Sequence, residues 1–158
     1  MRLSFTVVLG LYGLFYIFNP SHYGLLDHVD LTIHEAGHLV FSPFGEFMTA
    51  LGGTLLQLIM PAAFAFYFQR RSERYAVGVL LWWLAQNLWN ISVYVKDAQA
   101  QELPLVGGGE HDWSYLLGEL GWLKHDQVVG QVVWVAGILV FVFAMVRCFV
   151  SARFREAI

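Results

Sequence analysis

Hydrophobic positions along the chain fall into four long apolar runs separated by shorter polar stretches. The runs cover residues 3–18, 47–68, 75–95 and 128–150. About 20 apolar residues in a helix suffice to cross the hydrocarbon core of a bilayer, so this pattern predicts four transmembrane helices. The first run follows Met1-Arg2, as the apolar part of a secretory signal peptide would. No small-residue cleavage site comes after it, which favours a retained first helix.

A shorter helical pattern covers residues 29–41. At 1.5 Å per residue its length of about 20 Å is too short to cross a bilayer. Asp30 or Thr32 is the expected N-cap, and Pro43 ends the helix because proline disfavours helical backbone in the residue before it. We therefore expect this helix to dip into the membrane, or to lie buried against the spans, and to return without crossing.

A second short pattern begins after Asp112, within the external segment of residues 96–127 that connects the third and fourth runs. Apolar residues recur there at helical spacing, namely Trp113, Leu116, Leu117, Leu120 and Leu123. This spacing predicts an amphipathic helix on the membrane surface, with Asp112 as its N-cap.

Composition agrees with a membrane protein. Of the 158 residues, 58% are apolar and only 13% are charged, which is far from the average soluble domain. We expect an all-α integral membrane protein with one domain, residues 1–158. The single cysteine, Cys148, leaves His, Asp and Glu as the residues able to hold a metal. The net charge of −3 is small, and no nucleic-acid partner is expected.

The basic residues predict how the chain is oriented in the membrane. Threading the four runs alternately leaves only Lys96 and Lys124 on one side. The other side receives the seven arginines, Arg2, Arg70, Arg71, Arg74, Arg147, Arg153 and Arg155. Because cytoplasmic loops carry an excess of basic residues, we expect a multi-pass cell-membrane protein with both termini in the cytoplasm. All six histidines fall on the non-cytoplasmic side, so any metal site should open there.

The short helix of residues 29–41 contains the sequence His34-Glu35-Ala36-Gly37-His38. Histidines four residues apart lie on one helix face and can bind the same zinc ion, while the intervening glutamate can act as a general base. The ion lowers the pKa of a bound water to about 7, and the glutamate takes its proton during attack on a carbonyl. The alternative is two buried histidines with Thr32 and Glu35 as a capping box, which leaves ionisable residues in a near-membrane helix unexplained.

Catalytic zinc normally has three protein ligands, so a further ligand is needed. One helix face of the third run carries a polar stripe made of Asn87, Asn90, Tyr94 and Asp97. The asparagines either support a substrate or ligand, or form hydrogen bonds between helices. His111, just before the predicted surface helix, is the favoured third ligand. Asp97 is a fourth ligand, a competing third ligand or a solvated helix end, and Asp112 is assigned a supporting or solvated position.

The HEAGH sequence in an apolar helix, together with several apolar runs and a downstream His or Asp, resembles the site-2 protease group of intramembrane zinc metallopeptidases. The resemblance implies a zinc enzyme that cleaves membrane proteins or peptides in or near the bilayer. It also implies that His34 and His38 are ligands and that Glu35 is catalytic. In that family a Leu-Asp-Gly-like motif typically supplies the third ligand. This chain has no such tripeptide, and Asp97 in VYVKDAQ is the nearest counterpart.

Three functions are consistent with these residues. The first is a membrane-embedded zinc protease, which matches the motif most directly. The second is a zinc amidase or other hydrolase that acts on a lipid, because a pocket between spans could admit an acyl chain. The third is a non-enzymatic membrane subunit whose metal site is structural and closed to substrate water.

Overall fold

A computed structural model describes residues 1–105 and 110–155, and every regular element within them is helical. The α-helices are α1 (Arg2–Phe18), α2 (Leu25–Phe41), α3 (Glu46–Arg70), α4 (Arg74–Lys96), α5 (Asp112–Glu119) and α6 (Asp126–Arg155). Short 3-10 turns at Ser42–Phe44 and Leu123–His125 join α2 to α3 and precede α6. The predicted all-α architecture is therefore confirmed for the described residues.

All four apolar runs are helical, but they differ in their suitability to cross a membrane. Two helical stretches are long and apolar enough, Glu46–Arg70 and Leu123–Arg153. Helix α1 has only 17 residues, or about 26 Å at 1.5 Å per residue. Helix α4 has 23 residues, but its polar side chains lower its hydropathy. Crossing by α1 and α4 stays a prediction.

Helix α4 lies at the centre of the fold, packed against α6 on one side and α3 on the other. Its apolar residues Trp82, Ala85 and Trp89 are buried in a cluster that also contains Tyr16 and Phe141. Burial of large aromatic side chains is the main favourable contribution to such a core. The helix that carries the polar stripe is thus packed among the others, which brings its polar side chains into contact with protein.

Helix α2 begins four residues earlier than the sequence pattern indicates. It starts at Leu25, and the backbone N–H of Gly24 donates to Asp27 Oδ2 over 2.7 Å. Asp27 therefore provides the carboxylate at the start of the helix, and the prediction of Asp30 or Thr32 as N-cap is wrong. Asp30 instead accepts a hydrogen bond from Trp83 Nε1, and such a contact between helices is invisible to local pattern. The end at Phe41 is where the pattern predicts it.

The backbones of helices α2 and α3 are in direct contact. A Cβ atom added to Gly37 would collide with the carbonyl oxygen of Gly52, and one added to Gly53 would lie 2.5 Å from His34 Nε2. Only glycine leaves room for this approach. The contact brings the histidine face of α2 directly against the polar residues of α3.

Helix α5 also begins earlier than predicted, at Asp112 with His111 as its N-cap, and it ends at Glu119. The predicted N-cap, Asp112, is therefore wrong by one position. The side chain of Asp112 points away from the start of α5 and toward His34 of α2. Residues 106–109 of the predicted external segment, including its three consecutive glycines, lie outside the described residues.

Candidate metal centre

Two imidazoles of α2 and one carboxylate of α5 meet in one place. Asp112 Oδ2 lies 3.0 Å from His34 Nε2 and 3.4 Å from His38 Nε2. Ligand atoms held at 2.0–2.1 Å around a tetrahedral zinc ion are about 3.3 Å apart, which is close to both Asp112 distances. All three ligand atoms lie within 4.8 Å of one another. Among the described residues, these three form the group that could hold a metal ion.

Both imidazoles are anchored through their second nitrogen to α3. His34 Nδ1 donates to Gln57 Oε1 over 3.1 Å, and His38 Nδ1 donates to the carbonyl oxygen of Thr49 over 2.8 Å. A metal-binding histidine characteristically uses its other ring nitrogen in this way, which fixes the ring orientation and leaves Nε2 for the ion. The two rings lie with their centroids 4.8 Å apart, so neither has to move far to share an ion.

Tyr94 of α4 holds the carboxylate in position. Its hydroxyl donates to Asp112 Oδ2 and accepts from the backbone N–H of Asp112, both over 3.2 Å. The ring of Tyr94 also packs against that of His111, with 4.2 Å between centroids and a tilt of 32°. Tyr94 belongs to the polar stripe noted in the sequence, and it links α4 to the start of α5.

The electrostatics of the group favour a charged carboxylate beside the imidazoles. Burial by itself would raise the pKa of Asp112, but hydrogen bonds from His34 and His38 outweigh it and lower that pKa to about 2. The hydrogen bond to Asp112 in turn raises the pKa of His38 to about 9, against the opposing effect of burial. In the metal-free protein, a proton on His38 thus takes the place of part of the positive charge that an ion would bring.

His111 and Asp97, the predicted further ligands, pair with each other at a separate place. His111 Nε2 lies 3.3 Å from Asp97 Oδ2, and His111 Nδ1 accepts the backbone N–H of Ser114 to cap α5. Burial lowers the pKa of His111, although Asp97 opposes this, and a neutral ring is what an accepting Nδ1 requires. Asp97 also accepts the backbone N–H groups of Glu102 and Leu103. These two residues organise the connection into α5, while the adjacent Asp112 reaches the histidines.

The two asparagines of the stripe have different surroundings. Asn87 is fully buried and donates to the carbonyl oxygen of Trp83 in its own helix. Asn90 accepts a hydrogen bond from Gln57 Nε2 and donates to Asp27 Oδ1. Asn90 therefore lies next to the residue that anchors His34, and Asn87 does not.

A cavity of about 800 Å³ opens onto the three residues. Glu35 is exposed and lines it, one residue after His34. The walls come from α2, α3 and α4, from the connection between α1 and α2, and from residues 103–105. With three side chains in the group and an adjoining cavity, a bound ion would keep one coordination position facing open space.

Sequence reasoning missed three parts of this arrangement: Asp112 as the residue that meets the histidines, and Gln57 and Thr49 as their anchors. Gln57 gave one usable signal, because a glutamine within an apolar run is costly unless it has a partner. The carbonyl of Thr49 gave none, because every residue has one. Comparisons with known protein families, curated proteins and solved structures give no match.

Proposed function

We propose that this chain is a membrane-embedded zinc metallopeptidase in which His34, His38 and Asp112 bind the ion and Glu35 is the general base. The observation that carries the proposal is the convergence of two anchored Nε2 atoms on one carboxylate oxygen at the edge of a cavity. Nitrogen and oxygen ligands of this kind suit zinc, and three protein ligands with one free position are typical of its catalytic sites.

The ligands, Glu35 and the residues that hold the ligands would each have a separate role in peptide hydrolysis. A zinc ion held there would polarise the carbonyl and lower the pKa of a bound water. The carboxylate of Glu35 would accept a proton from the attacking water and return it to the leaving amine. Tyr94 and the anchors on α3 would keep the ligands in place during turnover, since displaced ligands cost affinity and rate.

The proposed substrate is a peptide segment of a membrane protein, in or next to the bilayer. The cavity is large enough for several residues and reaches from α2 to the connections on the same end of the molecule. Two helical stretches suitable for crossing a membrane, and the HEAGH resemblance to site-2 proteases, support this substrate over a soluble one. We further propose four spans, cytoplasmic termini and a site that opens on the non-cytoplasmic side.

Replacing Glu35 by Gln tests the proposal, because the amide keeps the size of the side chain and removes its basicity. We expect a folded, zinc-loaded protein whose cleavage of a transmembrane or juxtamembrane peptide falls by about 10²–10⁴-fold. Glu46→Gln is the matched control, because Glu46 is also exposed and lines the same cavity, and it should retain wild-type turnover.

Three other results would contradict the proposal in different ways. Undiminished cleavage by Glu35→Gln would remove Glu35 from the chemistry. Wild-type activity on a lipid amide, with none on peptides, would indicate a lipid hydrolase. Zinc binding without turnover of either substrate class would indicate a structural metal site.

A further inference from the structure

A chain of hydrogen bonds runs from the candidate ligand His34 to a buried carboxylate on the same helix. His34 Nδ1 donates to Gln57 Oε1 over 3.1 Å, and Gln57 Nε2 donates to Asn90 Oδ1 over 3.0 Å. Asn90 Nδ2 in turn donates to Asp27 Oδ1 over 3.0 Å. We call these three residues, Gln57, Asn90 and Asp27, the amide relay. They come from α3, α4 and α2, respectively.

At the Asp27 end of the amide relay, every hydrogen bond is donated to the Asp27 carboxylate. Asp27 is 1% exposed and accepts four hydrogen bonds. The donors are the Tyr16 hydroxyl, the Gly24 backbone N–H, Gln86 Nε2 and Asn90 Nδ2. Each of its two oxygens is met by two donors, so Asp27 acts as an acceptor toward all four neighbours.

The direction of donation at Asp27 fixes how each amide of the relay is turned. Because Asn90 must turn its NH₂ group to Asp27, its oxygen faces Gln57. Gln57 must then turn its NH₂ group to Asn90, so its own oxygen faces His34. A ring nitrogen that meets a carbonyl oxygen must carry a hydrogen, which places the proton of His34 on Nδ1.

We infer that the amide relay sets the tautomer of His34 and so keeps Nε2 available for the ion, with Gln57, Asn90 and Asp27 as positioning residues. The consequence for zinc rests on the proposed function, whereas the proton on Nδ1 can be measured without any metal. Without the amide relay, a Gln57 amide turned the other way would offer NH₂ to Nδ1. Nδ1 would then have to accept a hydrogen bond and give up its hydrogen, and the hydrogen left on the ring would lie on Nε2, the atom that faces Asp112 and the ion.

The test uses the full-length, metal-free protein with ¹⁵N-labelled histidine, and the His34 signals are assigned by their loss in His34→Gln. The ¹⁵N shift of Nδ1 reports whether that atom carries a proton. Wild-type protein should show a protonated Nδ1. Asn90→Leu leaves Gln57 present but removes the residue that orients its amide, so a population with unprotonated Nδ1 should appear.

Zinc affinity gives the second readout, with Gln57→Met against Gln86→Met as a matched pair. Both glutamines are buried and belong to the same polar cluster, but only Gln57 contacts His34. We expect Gln57→Met to weaken zinc binding about 10–100-fold, as the loss of an outer partner of a ligand does. Gln86→Met should leave both the zinc affinity and the Nδ1 signal as in wild type.

A protonated Nδ1 in Asn90→Leu, indistinguishable from wild type, would overturn the inference even if Gln57→Met failed to fold. Equal loss of zinc affinity in Gln57→Met and Gln86→Met would also overturn it, because that result describes general weakening of the core. Absence of zinc binding in wild type, with the predicted Nδ1 signals intact, would reject the proposed function and retain the tautomer assignment.

Discussion

At the scale of single residues, the candidate centre is defined by which carboxylate reaches the two histidines. Asp112, His111 and Asp97 lie close together in the fold, yet only Asp112 contacts Nε2 of both rings. A neighbour in sequence is therefore not equivalent in function. His111 caps α5 and pairs with Asp97, and these contacts turn the next side chain toward α2.

Replacing each of the three residues by Ala distinguishes them. Asp112→Ala should lose most bound zinc, because two histidines alone form an incomplete site. His111→Ala should bind zinc more tightly than Asp112→Ala and lose stability by about 1 kcal/mol, the usual effect of removing an N-cap. Metal analysis of the purified proteins, with thermal unfolding alongside, makes the comparison. Full zinc occupancy in Asp112→Ala and depletion in His111→Ala would assign the third ligand to His111 instead.

The proton on His38 predicts how zinc affinity depends on pH. The folded, metal-free protein has a His38 pKa raised to about 9, and Asp112, with a pKa of about 2, is already ionised. Zinc must displace the His38 proton, so its affinity should rise about tenfold per pH unit up to about pH 9 and then level off. The stabilising effect of the same proton on the metal-free fold has the opposite trend. It is complete below about pH 6.5 and disappears as the pH passes about 9.

Calorimetry at pH 7 in buffers of different ionisation enthalpy measures this proton directly. About one proton should leave His38 for each zinc ion bound, and the release should fall toward zero in titrations above about pH 9. A release near zero from the wild-type protein would contradict the arrangement of His38 and Asp112.

At the scale of helices, the site depends on how closely α2 and α3 pack. His34 lies against Gly53, and a methyl group there would require the ring to move from the position that Gln57 and Asp112 define. The glycines on this surface therefore act on the metal site without touching the metal.

Gly53→Ala should weaken zinc binding about 10–100-fold, comparable to the loss of a group that orients a ligand. Gly118→Ala in α5 is the control, since a methyl group there meets nothing within 4 Å. Zinc titrations of both variants in detergent check this expectation. Equal affinities in the two variants would mean that the α2 and α3 contact has no influence on His34.

Helices were predictable from the sequence to the extent that local chemistry determines them. The apolar runs predicted α1, α3, α4 and α6, and Pro43 marked the end of α2. The start of α2 was missed because Asp30 bonds to Trp83 on another helix. The prediction of Asp112 as N-cap is wrong for a related reason: the direction of its side chain depends on where α5 packs, and no local pattern encodes that. His34 and His38 were found because their spacing alone places them on one face.

At the scale of the whole molecule, the arginines and the candidate site lie toward opposite ends of the helices. Arg2 of α1 contacts Tyr75 of α4, and Arg147 of α6 donates to Gln69 of α3. Helix α3 has 25 residues from Glu46 at the cavity to Arg70, or about 37 Å. Gln57, which anchors His34, lies 13 residues before Arg70, so the candidate site is about 20 Å along α3 from the arginine-rich end. This separation fits the proposed orientation, in which the basic residues face the cytoplasm.

Cysteine labelling tests this orientation. A membrane-impermeant maleimide should modify Glu119→Cys in intact cells and Arg71→Cys only after permeabilisation. Both positions are exposed in the fold, and the native Cys148 is buried and contributes little background. Labelling of both positions from the same side would contradict the proposed topology.

The ligands of the candidate centre are far apart in the chain, since His34 and Asp112 are separated by 78 residues. An ion that joins them would therefore act as a cross-link and close a long loop containing α3 and α4, where closure restricts the unfolded chain most. A ligand present at 100 times its dissociation constant stabilises the folded state by about 2.7 kcal/mol. Under the proposed function, the supply of zinc would then determine how long the folded protein lasts as well as whether it is active.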